Sequence, residues 1–253
     1  MERVELTKQR MQEIYGDANI ALAETDPDFE AKMHRFLLGE VYSYGNLTNR
    51  QRLLITLASI TATGNGDVLA PHVEAALRIG VKPEEIKEVF HQIAPYIGFP
   101  AAVKGLNATN EVFKARGIKL PLPSQSKTTE EDRLDKGIAV QSEIFGAENI
   151  SKMRAAAPAN QKHIQDYLSG YCFGDTYTRG CLDLQEREML TLAAIASMGG
   201  CDPQVKAHVN GNKLVGNDKN TILGVITQCM PFIGFPKTLN ALAAVNAVIP
   251  ENE

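Results

Sequence analysis

The sequence predicts an all-α protein made of two tandem helical-bundle repeats, and three observations predict it. No segment shows the sustained period-2 alternation of a half-buried strand. Apolar residues recur at helical spacing in stretches several of which begin at Pro, Thr or Asp and stop at Gly. One unit also occurs twice: Ala70-Pro-His72-Val-Glu-Ala-Ala-Leu77-Arg-Ile-Gly80, running on to Gln92-Ile-Ala-Pro95-Tyr-Ile-Gly98-Phe-Pro100, is answered by Lys206-Ala-His208-Val-Asn-Gly-Asn-Lys-Leu214-Val-Gly216 and Gln228-Cys-Met-Pro231-Phe-Ile-Gly234-Phe-Pro236. A period of well over a hundred residues marks a duplicated domain, since solenoid arrays repeat at shorter spacing.

Taken in order, Thr7 to Tyr15 reads as a first helix and Lys136 to Phe145 as its copy, each closed by a glycine, Gly16 or Gly146, suited to a left-handed cap. Phe29 to Leu38 follows, with Phe29, Met33, Phe36 and Leu37 on one face, and Ile164 to Tyr171 matches it. Gly39-Glu-Val-Tyr42 and Gly174-Asp-Thr-Tyr177 are expected to be matching turns. The next pair is Thr48 to Thr63, burying Leu53, Leu54, Leu57, Ile60 and Thr61, and Asp183 to Met198. Then come the histidine-bearing helices ended by Gly80 and Gly216, and a helix opened by Pro83 with Glu84 and Glu85 behind it, favourable in both geometry and dipole. Its stripe of Ile86, Val89, Phe90, Ile93 and Ile97 returns as Ile222, Val225, Ile226, Cys229 and Ile233, and Pro95 and Pro231 are expected to kink or close it. Pro100 and Pro236 open the last helices, whose stripes are Val103, Leu106 and Phe113, and Leu239, Leu242 and Val245.

The repeats are assigned to residues 1–116 and 133–253, and each is long enough to bury a core. Residues 117–132, with Pro121, Pro123 and a polar tail, read as an extended linker.

Of the 253 residues 44% are hydrophobic and 22% charged, and the formal charge of −4 leaves no concentrated basic face for nucleic acid. No apolar run is expected to cross a bilayer, and the charged start Met1-Glu-Arg-Val-Glu lacks a signal core, so a cytoplasmic protein is expected. Cys172, Cys181, Cys201 and Cys229 form no Cys-x-x-Cys pair, and most suit small thiols in a reducing compartment. No metal or nucleotide motif is present, so no cofactor and no metal are expected.

His72 and His208 recur at one place in both repeats, and imidazole is the side chain most readily poised to pass a proton near neutrality. A boundary histidine held by a hydrogen bond would recur as readily. Arg187-Glu188 lies one helix earlier and Lys206 two residues before His208; a carboxylate can orient an imidazole, and Arg or Lys can hold a substrate carboxylate or an oxyanion. The first half offers Arg52, Glu85 and Glu88. Gln92 and Gln228 could donate to a ligand carbonyl or satisfy backbone opened near the proline. His34, His91 and His163 have no histidine partner in the other repeat and read as surface or boundary residues.

The chain resembles the carboxymuconolactone decarboxylase family, which includes the alkylhydroperoxidase D branch. The resemblance rests on His72-Val-Glu-Ala-Ala-Leu, Glu85-Ile-Lys-Glu88-Val and Gln92-x-x-x-Tyr96-x-Gly98-x-Pro100, and on Gly174-Asp-Thr-Tyr-Thr-Arg179, Arg187-Glu188-Met-Leu-Thr-Leu-Ala and Lys206-x-His208. It implies a small helical protein that assembles into rings, here three tandem chains forming a pseudo-hexamer. It also implies a cofactor-independent carboxy-lyase acting on a carboxylated lactone or a related small acid. In that reading His208 handles the proton, Glu188 orients it, Arg187 or Lys206 meets anionic groups, and His72, Glu85 and Glu88 are the first-half candidates. Only one half, the second, is expected to be competent, or one site draws on both. The peroxidase branch carries two cysteines before its histidine; Cys201 fits the first, but Gln204 stands at the second, so self-resolving disulfide cycling is not expected. The alternatives are a one-cysteine peroxide reductase at Cys201 and a non-catalytic helical protein that binds small molecules.

Overall fold

The computed structural model describes residues 2–16 and 24–251, and among them no strand occurs. The first repeat holds α1 (Arg3–Arg10), α2 (Pro27–His34), α3 (Asn49–Ala62), α4 (Ala70–Arg78), α5 (Pro83–Ile97) and α6 (Phe99–Ala115). The second holds α7 (Arg133–Phe145), α8 (Ala147–Ala156), α9 (Lys162–Tyr167), α10 (Leu184–Met198), α11 (Asp202–Leu214) and α12 (Lys219–Val248). The short α8 has only one buried residue, Ile150, so no apolar stripe announces it.

α3 and α10 start where a side chain can satisfy their first amides. Thr48 accepts from Gln51 N and Asp183 from Glu186 N, and in both the third residue answers the cap backbone. These two helices are buried along most of their length and pack against each other at the middle of the molecule, where Ser59 Oγ and Ser197 Oγ are 2.8 Å apart. α5 of the first repeat lies against α10, and α12 of the second lies against α3. The repeats therefore share their main core: one apolar cluster runs from Ile14 through Leu57, Phe90 and Leu192 to Val245, and a smaller one of Ile144, Cys172, Phe173 and Tyr177 lies in the second repeat. This exchange is what lets one repeat furnish side chains to the other's histidine.

The segments expected to be turns after α2 and α9 are helical instead. Arg35–Glu40 and Leu168–Tyr177 continue as wide π-type helix, so Gly39 and Gly174 are packing glycines rather than turn formers. A Cβ on Gly174 would lie 2.0 Å from Arg133 O, and one on Gly137 would lie 1.9 Å from Ser169 O. Two backbones in that contact exclude any side chain.

Pro95 and Pro231 also differ from expectation. α5 runs through Pro95 to Ile97, and α12 runs through Pro231; the break comes three residues later, at Gly98 (φ 82°) and Gly234 (φ 75°). A left-handed residue reverses the helix path, whereas a proline near a helix end forfeits only one hydrogen bond. α12 is long and apolar enough by length and composition to cross a bilayer, contrary to the reading of the sequence, but it is two helices meeting at Gly234, and Ile222, Val225, Ile226, Cys229 and Val245 are buried in the core.

Phe29, Val103 and Leu239, expected on buried stripes, are at least half exposed. They lie at corresponding places in the repeats, where Ile164 matches Phe29 and Phe99 matches Phe235, and those are exposed too. Residues 118–129 run without helix, bending at 120–121, and a turn at 130–132 leads into α7; Ile118, Leu120 and Leu122 pack on the core, and Gly180 N donates to Gln125 O at 2.9 Å.

Candidate active site

Glu188 and His208 come together from neighbouring helices. His208 is two helical turns into α11, and Glu188 is completely buried in the first half of α10. Nδ1 of His208 lies 2.8 Å from Glu188 Oε2. Close approach depends on Gly211, where a Cβ would fall 2.5 Å from Glu188 Oε2. Tyr177 donates from its hydroxyl to the other oxygen, Oε1, at 2.7 Å.

Proton counting fixes the direction of the surrounding bonds. Tyr177 has one hydrogen and gives it to Glu188, so its oxygen accepts from Thr191 (3.0 Å) and Tyr96 (3.2 Å). Cys172 in turn donates to Tyr96 at 3.3 Å, and Gln92 Nε2 donates to Thr191 at 3.0 Å. Every hydrogen in the cluster points toward one carboxylate. With that carboxylate as acceptor, Nδ1 of His208 carries the proton, and Nε2 is the nitrogen left for another group. The ring is framed edge-to-face by Tyr96 (5.4 Å) and Phe145 (5.8 Å) and keeps 8% of its surface exposed. Burial, reinforced by Glu188, pushes the Tyr177 phenol well above its ordinary range, and burial pushes the Cys172 thiol up to about 12, so both keep their hydrogens.

The basic residues lie elsewhere. Arg187 is fully buried; it donates to Gln92 Oε1 (2.8 Å), Glu88 Oε2 (3.4 Å) and the carbonyls of Arg179 and Gly180. Burial pulls its guanidinium below the ordinary range and Glu88 acts against that. Glu88 is also held by Arg179, through Nε at 3.0 Å and Nη2 at 2.7 Å. Lys206 is exposed and lines a surface hollow with Asp202 and Asn240, since two residues along a helix is about half a turn. Glu85 caps its own helix at Lys82 N and pairs with Arg50. None of Arg187, Lys206 and Glu85 hydrogen-bonds to His208 among the described residues.

The first-repeat histidine has a different environment. His72 is 3% exposed; Nδ1 is 3.0 Å from Tyr15 OH, and the ring meets Phe232 edge-on. Leu53 and Phe232 stand where the second site has Glu188 and Tyr96. Arg52 makes the bonds corresponding to those of Arg187, to Gln228 Oε1 (3.1 Å) and the carbonyls of Val41, Tyr44 and Leu47, and Gln228 Nε2 reaches Thr56 at 3.1 Å. Both glutamines thus bind side chains of the opposite repeat rather than backbone near the proline.

Burial lowers the His72 imidazole from 6.5 to about 4. Between these two values the unfolded chain takes up a proton that the folded chain refuses, so His72 stabilises the fold above pH 6.5 and that contribution is lost as pH falls toward 4. The loss approaches about 3 kcal/mol. Replacing His72 with Phe should flatten the stability curve over that interval in urea melts at successive pH values; an unchanged slope would assign the acid sensitivity to other groups.

Cys201 caps the start of α11, its Sγ 3.5 Å from Gly199 O, and is two turns, about 10 Å along the helix, from His208. No cysteine of the four is bonded to another.

Tyr96, Tyr177, Thr191 and Cys172 complete the His208 cluster without having been singled out for it. The available signal was Tyr42 and Tyr177, a phenol repeated at matching positions, since a buried hydroxyl needs a partner.

The profile of the carboxymuconolactone decarboxylase family matches residues 27–111 and again 162–247. The chain belongs to this family. A 4-carboxymuconolactone decarboxylase from Acinetobacter baylyi is 36% identical over 97 residues, covering 38% of this chain and 72% of that one. A crystal structure described as a candidate gamma-carboxymuconolactone decarboxylase subunit from Burkholderia xenovorans LB400 superposes over all of this chain and 99% of its own, with a TM-score of 0.57 and 19% identity. That likeness speaks to the fold. For this family member the two profile matches fall on the two repeats, and the His72 and His208 helices lie one in each.

Proposed function

We propose that this family member is a cofactor-independent decarboxylase of a carboxylated lactone or a closely related small organic acid, with one working site at His208. The observation that carries the reading is the convergence of His208 and Tyr177 on the buried Glu188 carboxylate, with Tyr96 of the first repeat and Thr191 bonded to Tyr177 behind it. Family membership and the decarboxylase from Acinetobacter baylyi support the reaction class.

In 4-carboxymuconolactone the bond from the ring to its carboxylate breaks and carbon dioxide leaves. The electron pair delocalises through the ring double bond onto the lactone carbonyl, and a proton delivered to carbon gives the 3-oxoadipate enol-lactone. The substrate is its own electron sink, so what the protein must supply is placement and a proton. Glu188 fixes the His208 ring through Nδ1, leaving Nε2 to deliver the proton. Phe145, Phe173 and Tyr96 form an aromatic surround. A carboxylate pressed against such a wall loses hydration, which favours its departure as neutral carbon dioxide. Arg187, committed to Glu88 and Gln92, holds α5 against α10 and so places Tyr96. Leu53 in place of a carboxylate leaves His72 only the neutral Tyr15 hydroxyl at Nδ1, and the first site is non-catalytic in this reading.

Carbon dioxide evolution from 4-carboxymuconolactone and from related carboxylated lactones tests the proposal. Binding seen by thermal shift with no turnover on any of them would leave a binding protein in its place.

We further propose self-association through the matching exposed apolar sets. Phe29, Phe235 and Leu239 lie in one set, and Ile164, Phe99 and Val103 in the other. Each set has the same ring contact behind it, Phe36 with Phe235 (6.4 Å) and Tyr171 with Phe99 (5.6 Å). Apolar patches of this kind on a folded surface mark interfaces. Two equivalent faces per chain suit a closed ring, with three chains giving a pseudo-hexamer. Light scattering should report a mass near three chains, reduced by Phe99→Glu with Phe235→Glu; a strict monomer would refute it.

A further inference from the structure

The duplication gives α5 and α12 a common origin, yet one face of α5 carries chemistry that α12 lacks. Glu84, Lys87, Glu88 and His91 recur at the spacing of a single helix face. The residues at the same places of α12 are Asn220, Leu223, Gly224 and Thr227. On that side Leu47 closes the space, its side chain 3.2 Å from where a Cβ on Gly224 would be. The fold therefore does not require a charged face here.

Over the α5 face lies a cleft of about 270 Å³, walled by Pro121, Leu122 and Pro123 of the linker and ended by Arg179. Its floor is the Glu88 carboxylate, 1% exposed, held on one side by Arg179 and on the other by Arg187. Arg179 spends Nε and Nη2 on Glu88, which leaves Nη1 for a guest. His91 is open to solvent at the cleft, but desolvation by its walls and then the neighbouring Arg179 push the imidazole below its ordinary range. Lys87 is lowered by desolvation as well. Both groups would be relieved by an anion.

We propose that this cleft is a second binding site, separate from His208, for a small organic monocarboxylate held by Lys87, His91 and Arg179 with its apolar body against Pro121, Leu122 and Pro123. The charge count selects the class. Glu84 and Glu88 offset two of the three permanent cations around the cleft, Lys87, Arg179 and Arg187, and the one positive charge left is matched by a single carboxylate on Lys87 and Arg179 Nη1 and exceeded by a multiply charged phosphate. The apolar linker wall rewards a hydrocarbon body, and the volume is near the lower end for small-molecule sites.

Benzoate is a suitable probe, because the chain has five histidines, few enough to resolve their ring signals by NMR. Saturable shifts of the His91 ring signals are expected, with a Kd of about 0.1 to 1 mM and a rise in the His91 pKa on binding, as a nearby anion favours the imidazolium. Lys87→Glu, checked for folding by circular dichroism, should weaken binding at least about tenfold, while His208→Ala should leave it unchanged. No saturable shift up to about 10 mM benzoate would overturn the proposal. So would binding that survives Lys87→Glu but is lost in His208→Ala, which would place the guest at the other site. Inorganic phosphate moving His91 as strongly as benzoate would reduce the cleft to a general anion patch and overturn the assigned class.

Discussion

Replacing His208 with alanine should lower carbon dioxide release from a carboxylated lactone by about 10²- to 10⁴-fold, the usual contribution of a positioned acid or base. The helical circular dichroism should be unchanged, because the ring's strong bond is to Glu188, which keeps Tyr177 as a partner. His72→Ala in a parallel assay should keep turnover within a few fold of wild type, since His72 meets Tyr15 and Phe232 but no carboxylate. Glu188→Gln adds a finer test. An amide cannot accept from both Tyr177 and His208 through two oxygens, so the imidazole loses its fixed orientation; kcat should fall with little change in KM. Full activity in His208→Ala would remove His208 from the reaction, and equal losses in the two histidine variants would show that both sites work.

Arg187→Ala should be the most destabilising change of a single side chain in the polar core, costing about 3 to 5 kcal/mol in urea unfolding. The residue is fully buried, and its loss strips Gln92 Oε1 and the carbonyls of Arg179 and Gly180 of a donor and leaves the buried Glu88 with Arg179 alone. Arg187→Lys should recover little, because one ammonium cannot reproduce a planar fork that reaches four separate acceptors. Arg52→Ala, at the matching place, should cost less: Arg52 makes the same kind of contacts to Gln228 and three carbonyls but neutralises no buried acid, Gly224 standing in for Glu88. Equal costs for the two variants would show that the orphaned carbonyls, not the buried charge, dominate.

Helix content, the duplication and the helix starts at Thr48, Asp183 and Pro83 were legible in the sequence because each is a local matter. Apolar spacing, a capping side chain and a proline's fixed φ act within a few residues of one another. The pairing of Glu188 with His208 was a matter of neighbouring helices and known family pattern. Where spacing along one helix was the guide, it failed for Lys206, whose proximity to His208 in the chain puts it on another face. Gly39 and Gly174 read as turns because a glycine with space around it and a glycine crushed between backbones look alike in a sequence; only the 2.0 Å approach to Arg133 O tells them apart.

By itself, then, the sequence determined that this protein is two copies of one helical unit with an imidazole in each. That α5 and α12 cross to the opposite repeat, putting Gln92 and Gln228 on Arg187 and Arg52 and Tyr96 beside His208, was decided by tertiary structure alone. The physical reason is that local propensity fixes where a helix begins and ends, whereas the choice of partner minimises unpaired buried charge and exposed hydrocarbon over the whole chain at once.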